Sequence, residues 1–338
     1  MKLFYLIFLI FLSLQLNAQN WPKSFPAIEK RVKTIKSMRP DSLAKNLTAP
    51  YKTDTEKVWS IFCWITENII YDTLGYYHPE KLYEGLWQAS LISNPNDVKP
   101  EYNKRIVQKI LSERKAVCDG YSRLFKTLCD SVKIRCEIIT GYIRWYSDPI
   151  GQRTNRGHAW NAVFIDGKWK LIDVTWASGH SIGQSREVVK SFDPFFFFTD
   201  PVHLFNDHYP DEIKWSFLPN TPSLDQFYSF PFYYPSFYKF NFSAVYPTTG
   251  YVTISRSNRI ATIELVSNEA RKNVHIYESP NDESDTVHQN SSILPEPVYK
   301  IDKNKITCYY PVQSDKAKRL NVVFNGKSIL TYEIRFMK

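Results

Sequence analysis

The fold is decided by residues 158–173, which read HAWNAVFIDGKWKLID. An Asp-Gly dipeptide separates two apolar-rich runs, and such a dipeptide between such runs is the strongest short-range signal for a β-hairpin. A two-residue turn pairs Ile165 with Lys168, and this register makes His158 and Asp173 diagonal neighbours on one face of the hairpin. The sequence therefore predicts a carboxylate that can orient an imidazole.

A second stretch, residues 114–129, predicts a helix that begins at a cysteine. It reads RKAVCDGYSRLFKTLC, and its apolar residues recur with the helical period on the side that carries Cys118. A cysteine in the first turn lies at the positive end of the helix macrodipole, which favours the thiolate. We expect Cys118 to be a nucleophile, His158 its general base and Asp173 the residue that orients the histidine.

Each of these three residues also has an ordinary structural interpretation. A cysteine between apolar residues is usually an inert buried thiol, a histidine at a strand start is usually packed, and an aspartate at a strand end is usually a cap. The joint arrangement is much less expected by chance than any one of its members. We therefore favour the catalytic interpretation.

Three motifs resemble the core of the transglutaminase-like superfamily: VCDGYS at 117–122, GHAWN at 157–161 and KWKLIDVTW at 168–176. Residues 54–72 are similar to the helix that precedes that core. Residues 198–215 resemble a segment of the branch that contains kyphoscoliosis peptidase and cytokinesis proteins. The resemblance covers about residues 50–218 and implies a papain-like α+β fold with Cys118 as nucleophile, His158 as general base and Asp173 as orienter.

The resemblance leaves the reaction open, because the superfamily contains cross-linking acyltransferases, peptidases, amidases and inactive scaffolds. Hydrolysis at a peptide or carboxamide carbonyl is slightly favoured, since the chain lacks the calcium-loop signatures of the large cross-linking enzymes. The resemblance also suggests Trp87 or Gln88 as a contributor to an oxyanion hole. The alternative is a non-catalytic envelope or surface module that binds a protein or a glycan on the same scaffold.

The N-terminal residues 1–18 are typical of a secretory signal peptide: Lys2 precedes an apolar run, and the small residue Ala18 lies at the expected cut. An uncleaved anchor is the alternative. We expect a secreted or periplasmic protein with no stable membrane span after cleavage. The formal charge of +9 is spread along the chain, so a solvated surface is favoured over an anionic partner, and nucleic-acid binding has no motif to support it.

The chain divides into three parts after the signal. Residues 19–218 are the transglutaminase-like α+β domain, 219–249 a linker rich in proline and aromatic residues, and 250–338 an all-β sandwich, which we expect to be immunoglobulin-like. An aromatic cleft for a glycan or a peptide is the alternative interpretation of the linker. We expect the sandwich to fold separately, to leave the chemistry intact when removed, and to be the place where an envelope or glycan partner would bind.

The remaining chemistry-bearing residues suggest neither a disulfide framework nor a cofactor. The five cysteines include Cys118, which must be free if it is the nucleophile. Cys63, Cys129 and Cys136 lie in apolar segments that favour buried thiols, and Cys308 is isolated in the C-terminal region. A metal site at His203, Asp207 and His208 is weighed and not favoured, because the spacing does not match a zincin and the family resemblance explains His208 as a structural residue. The proposed chemistry needs no metal and no organic cofactor, and its substrate is a protein or a peptide.

Overall fold

The computed structural model describes residues 22–79, 82, 96, 99–154, 156–181, 188–267, 274–279 and 296–337. The predicted signal peptide and the residues Trp87 and Gln88 lie outside these ranges. Within them, none of the helices combines the length and the apolar character that crossing a membrane requires.

The N-terminal part is an α+β domain in which helices pack against one antiparallel sheet of five strands. Its helices are α1 (Phe25–Val32), α2 (Pro40–Thr48), α3 (Asp54–Asn68), α4 (Thr73–Tyr77), α5 (Pro100–Glu113), α6 (Cys118–Ser131), α7 (Val174–Ala177) and α8 (Pro201–Leu204). Its strands are β1 (Ile70–Tyr71), β2 (Lys115–Ala116), β3 (Cys136–Ile143), β4 (Arg156–Ile165), β5 (Lys168–Ile172), β6 (Gly179–Ser181), β7 (Val188–Lys190), β8 (Phe197–Thr199) and β9 (His208–Pro210). The five-stranded sheet has the order β8-β5-β4-β3-β9, while β1 pairs with β2 and β6 pairs with β7.

The central hairpin has the predicted register. Ile165 lies opposite Lys168, and the turn residues Asp166 and Gly167 have φ angles of 51° and 77°. Two successive positive φ angles define a type I′ turn, whose twist matches that of the flanking strands and for which Asp-Gly is a preferred sequence. The hairpin prediction is confirmed.

Helix α3 lies in the centre of the helical layer and is fixed at its start by a capping box. The Thr53 hydroxyl accepts a hydrogen bond from the Glu56 amide, and the Glu56 carboxylate accepts one from the Thr53 amide. The following apolar residues, among them Ile61 and Trp64, are fully buried in one core that α3 shares with α6 and the sheet. This core holds the first turn of α6 against the hairpin.

The described residues of the C-terminal part form two sheets. One consists of β10 (Phe232–Tyr233), β12 (Tyr251–Ile254), β14 (Val274–Ser279), β17 (Arg319–Phe324) and β18 (Lys327–Phe336), and the other of β11 (Phe242–Tyr246), β13 (Ile260–Ser267), β15 (Val298–Asp302) and β16 (Lys305–Pro311). Buried residues of both sheets, such as Ile254, Ile263 and Val322, form one cluster. The sheets therefore pack face to face as a sandwich, and its immunoglobulin-like topology stays a prediction.

The segment 219–249 is folded and joins the sandwich. It contains α9 (Leu224–Ser229) and α10 (Pro235–Lys239), and its strands β10 and β11 pair with β18 and β13. Phe237 and Phe242 lie in the core of the sandwich, whereas Phe227 and Tyr228 pack with Phe205 of the N-terminal domain. The aromatic residues thus fill the space on both sides of the boundary, and the sandwich takes up part of the stretch expected to be a linker.

Candidate active site

Cys118 is the first residue of helix α6. Its N-cap, Val117, is extended and offers no side-chain acceptor, so the backbone N–H groups of the first turn point out of the helix without an intrahelical partner. Cys118 is half-buried, while the other four cysteines are buried, and all five are free thiols. The accessible thiol therefore lies beside backbone donors that can stabilise an oxyanion.

The structure brings His158 and Asp173 together. Their Nε2 and Oδ2 atoms are 2.7 Å apart, and Asp173 is completely buried. The other carboxylate oxygen, Oδ1, accepts the backbone N–H of Trp176 at 3.0 Å and so caps helix α7. The hairpin places the carboxylate, and the cap fixes its rotation.

Asn161 ties the hairpin to the nucleophile helix. It lies on β4, is completely buried, and its side-chain amide donates to the backbone carbonyl of Ser122 at 3.2 Å and to that of Glu137 at 3.3 Å. Ser122 lies one turn after Cys118, so this side chain sets the distance between the helix and the histidine strand. The sequence marks Asn161 only as part of a motif.

The electrostatics of His158 favour the imidazolium. Burial lowers the pKa of its ring, but the charge and hydrogen bond of Asp173, assisted by the hydrogen bond and charge of Cys118, raise it to about 10. Because Nε2 faces Asp173, Nδ1 is the nitrogen left for the cysteine. At neutral pH this arrangement favours an imidazolium at His158, next to the Cys118 thiol.

The carboxyl group of Asp173 stays ionised. Burial acts to raise its pKa, but the charge and hydrogen bonds of His158, together with those of His208, hold the pKa well below its ordinary value. A permanent negative charge at this position stabilises a proton on His158 throughout the neutral range. Asp173 therefore acts on the cysteine only through the histidine.

A second histidine binds the same carboxylate. His208, at the start of β9, places Nε2 3.0 Å from Asp173 Oδ2 and Nδ1 2.5 Å from Asp207 Oδ1, and His208 and Asp207 are both buried. A neutral imidazole has a single N–H, so contact with two carboxyl groups requires either an imidazolium or a protonated carboxyl. Burial lowers the pKa of His208, but Asp207 and Asp173 outweigh it and raise that pKa.

Sequence reasoning missed this role of His208, which it took as structural. No local spacing points to it, because β9 reaches the site only by pairing with β3, where Ile143 lies opposite His208. His203, which the sequence groups with it, stacks instead on Tyr238 at 3.8 Å between ring centroids. The long-range pairing of β9 with β3 thus brings His208 to the site.

Two indole rings enclose the histidines. The centroid of Trp160 lies 6.1 Å and that of Trp176 5.9 Å from the His158 ring, and Trp176 also lies 4.5 Å from the ring of His208. These apolar rings exclude water and lower the local dielectric. The lower dielectric strengthens the series of hydrogen bonds that runs from Asp207 through the two histidines to Cys118.

The same three side chains could also hold a cation. Ligand atoms of His158, Asp173 and His208 lie within 4.8 Å of one another, and two imidazoles with a carboxylate form a donor set that suits zinc. The separations of 2.7 and 3.0 Å between each histidine and Asp173 are those of direct hydrogen bonds. A cation would replace the proton between His158 and Asp173, so the site can serve proton transfer or metal binding, but not both at once.

His208→Phe is expected to weaken the site through Asp173. The substitution removes a donor to that carboxylate and leaves Asp207 buried without its partner, so the free energy of unfolding should fall by about 2 kcal/mol and alkylation of Cys118 should slow about tenfold. His208→Gln keeps an amide donor and should lose less in both respects. Denaturant unfolding and timed alkylation with iodoacetamide measure the two effects. Wild-type alkylation in the phenylalanine variant would show that His208 only fills space.

Comparison with known proteins finds a family match within the N-terminal domain. The family model of the transglutaminase-like superfamily matches residues 41–174. Human kyphoscoliosis peptidase is 30% identical over 226 residues, which are 66% of this chain and 31% of that protein. Hillarin of Drosophila melanogaster is 23% identical over 236 residues, or 66% and 26% of the two chains.

Cytokinesis protein 3 of Schizosaccharomyces pombe is 26% identical over 201 residues, which cover 58% of this chain and 20% of that protein. This chain therefore spans less than a third of the length of these curated relatives. Among solved structures, a TGase is similar with 16% identity and a TM-score of 0.27, over 50% of this chain and 37% of the other.

Proposed function

We propose that this chain, whose residues 41–174 form a transglutaminase-like core domain, is a cysteine enzyme that acts on a peptide or carboxamide carbonyl through an acyl-enzyme. One observation carries the proposal: the 2.7 Å hydrogen bond between His158 and Asp173 lies beside a half-buried thiol at a helix N-terminus. Cys118 is the nucleophile, His158 the proton carrier and Asp173 the residue that orients His158.

Acylation begins from the thiolate–imidazolium pair. The Cys118 sulfur bonds to the carbonyl carbon, and the carbonyl oxygen takes up the negative charge next to the backbone N–H groups of the first turn of α6. His158 then gives its Nδ1 proton to the leaving nitrogen as the carbon–nitrogen bond breaks. An amine or ammonia departs, and a thioester remains on Cys118.

Deacylation uses the same groups in reverse. His158, now neutral, takes a proton from a water molecule or from an amine, and the nucleophile attacks the thioester. The carbon–sulfur bond breaks, and the thiolate and the imidazolium are restored. Water gives hydrolysis and an amine gives cross-linking; we take hydrolysis as the main outcome, because the sequence carries no calcium-loop signature.

We further propose that the enzyme acts outside the cytoplasm, in the periplasm or as a secreted protein, on protein or peptide substrates. The signal-like sequence at the N-terminus supports this location. An envelope protein or a glycan bound by the C-terminal sandwich is the partner that this location suggests.

The proposal is tested with a library of glutamine-containing peptides, incubated with the purified protein with and without a primary amine and followed by mass spectrometry. We expect cleaved or deamidated products, amine adducts in a smaller share, and neither in a Cys118→Ala control. If the wild type turns over no member of the library, but binds a protein or glycan equally well with and without the thiol, the chain is a non-catalytic binding module instead.

A further inference from the structure

The C-terminal sandwich binds the loop between β3 and β4, which leads into the strand that carries His158. Arg319, the first residue of β17, is only 3% exposed. Its guanidinium donates to the backbone carbonyls of Tyr146 at 2.7 Å, Ser147 at 2.8 Å and Asp148 at 3.0 Å. A planar, rigid donor group that satisfies three successive carbonyls fixes the path of the backbone between β3 and β4.

Two further residues of the sandwich, Glu333 and Tyr251, form hydrogen bonds with the same loop. The backbone N–H of Ile150 donates to Glu333 Oε1 at 2.8 Å, and the Tyr251 hydroxyl donates to the carbonyl of Ile150 at 2.6 Å. Glu333 lies opposite Arg319 in the β17–β18 ladder. Gly151 has a φ of +78°, and a Cβ there would lie 2.0 Å from the Tyr251 hydroxyl oxygen, so the loop and the sandwich approach too closely for a side chain.

The other side of this loop faces the candidate active site. Asp148 Oδ2 accepts the backbone N–H of Trp145 at 2.8 Å, and its Oδ1 pairs with Arg156 at 3.1 Å, two residues before His158. The Trp145 ring lies 5.4 Å from that of Trp176, which lies 5.9 Å from the ring of His158. The contacts of the sandwich are therefore connected to His158 through this loop and the indole rings of Trp145 and Trp176.

Building on the proposed function of Cys118, we infer that Arg319 and Glu333 are positioning residues of the active site. They hold the segment 146–150, and that segment holds Trp145 and Arg156 beside the His158 strand. The sandwich then helps to position the residues of the active site. These contacts argue against the expectation that it can be removed without effect on the chemistry.

The test uses the full-length protein and two measurements. Hydrogen exchange of the backbone amides in 145–151 measures how firmly the loop is held. The rate of Cys118 alkylation by iodoacetamide measures the reactivity of the active site. In Arg319→Met we expect exchange at least tenfold faster and alkylation about ten- to a hundredfold slower. Lys316→Met removes an exposed cation from the same sandwich and should change neither measurement.

The Glu333 variants separate positioning from folding. Glu333→Gln keeps an oxygen acceptor for the Ile150 amide and should behave as the wild type, while Glu333→Ala should shift both measurements in the direction of Arg319→Met. If Arg319→Met does not fold, the comparison of Glu333→Gln with Glu333→Ala decides whether the inference holds. Unchanged exchange overturns the inference, and so does faster exchange with wild-type alkylation.

Failure of the proposed function is recognised separately. In that case the wild type alkylates Cys118 no faster than a His158→Ala variant does, and the catalytic half of the inference is overturned with it. The exchange measurement still shows whether Arg319 and Glu333 hold the loop.

Discussion

Cys118→Ala is expected to abolish turnover, with a loss of about 10⁴-fold or more, because no other group in the site can form the thioester. Fold and melting temperature should change little, since the side chain is half-buried and is not a member of the hydrophobic core cluster. Steady-state assays on a peptide that the wild type turns over, with thermal melting alongside, measure both properties.

Cys308→Ala is the matched control for this prediction. Cys308 lies in the sandwich, where burial raises the pKa of its thiol to about 12, so it stays protonated and unreactive at neutral pH. The control should retain full turnover. Residual turnover of Cys118→Ala close to the wild-type rate would remove the cysteine from the mechanism.

Asp173→Asn is expected to lower the rate of acylation by about 10⁴-fold, a magnitude that the equivalent change causes in serine-protease triads. The amide can present its NH2 group as a donor to His158 Nε2, and the ring then adopts the wrong tautomer. Without the negative charge, burial lowers the pKa of His158 instead of being outweighed. The imidazolium is then lost at neutral pH.

The stability of Asp173→Asn gives this prediction a pH signature. In the wild type the pKa of His158 is raised from 6.5 to about 10, so the stabilisation is complete below about pH 6.5 and is lost as the pH rises through 10. The pKa of Asp173 is depressed mainly by the same ion pair, so this stabilisation is lost in acid as Asp173 takes up a proton and in base as His158 loses one. Urea unfolding at pH 6 and pH 10 should therefore show a large gap between wild type and variant at pH 6 and a small one at pH 10. An equal gap at both values would mean that the two residues are not an ion pair.

The predictable part of the site is the part that local rules control. An Asp-Gly turn sets the register of a hairpin by itself, and that register alone brings His158 to Asp173. A periodic apolar face likewise places Cys118 at the start of a buried helix.

The main contacts that the sequence did not predict join distant segments. His208 meets Asp173 because β9 pairs with β3, and Arg319 meets Tyr146 across 173 positions of the chain. Such contacts depend on how whole helices and strands pack against one another. The hydrophobic period and the turn residues of a sequence do not specify this packing. The aromatic segment shows the same limit, since its composition suggested a linker while its strands β10 and β11 belong to the two sheets of the sandwich.

The central claim, acyl transfer through Cys118 assisted by His158, is tested most directly by trapping the acyl-enzyme. The protein is mixed with an activated ester, quenched in acid, and digested, and the acyl group is located by mass spectrometry. The account predicts a hydroxylamine-sensitive acyl mass on the peptide that contains Cys118, formed at least a hundredfold more slowly in His158→Ala. An acyl group on another residue, or equal rates of acylation with and without the His158 imidazole, would contradict it.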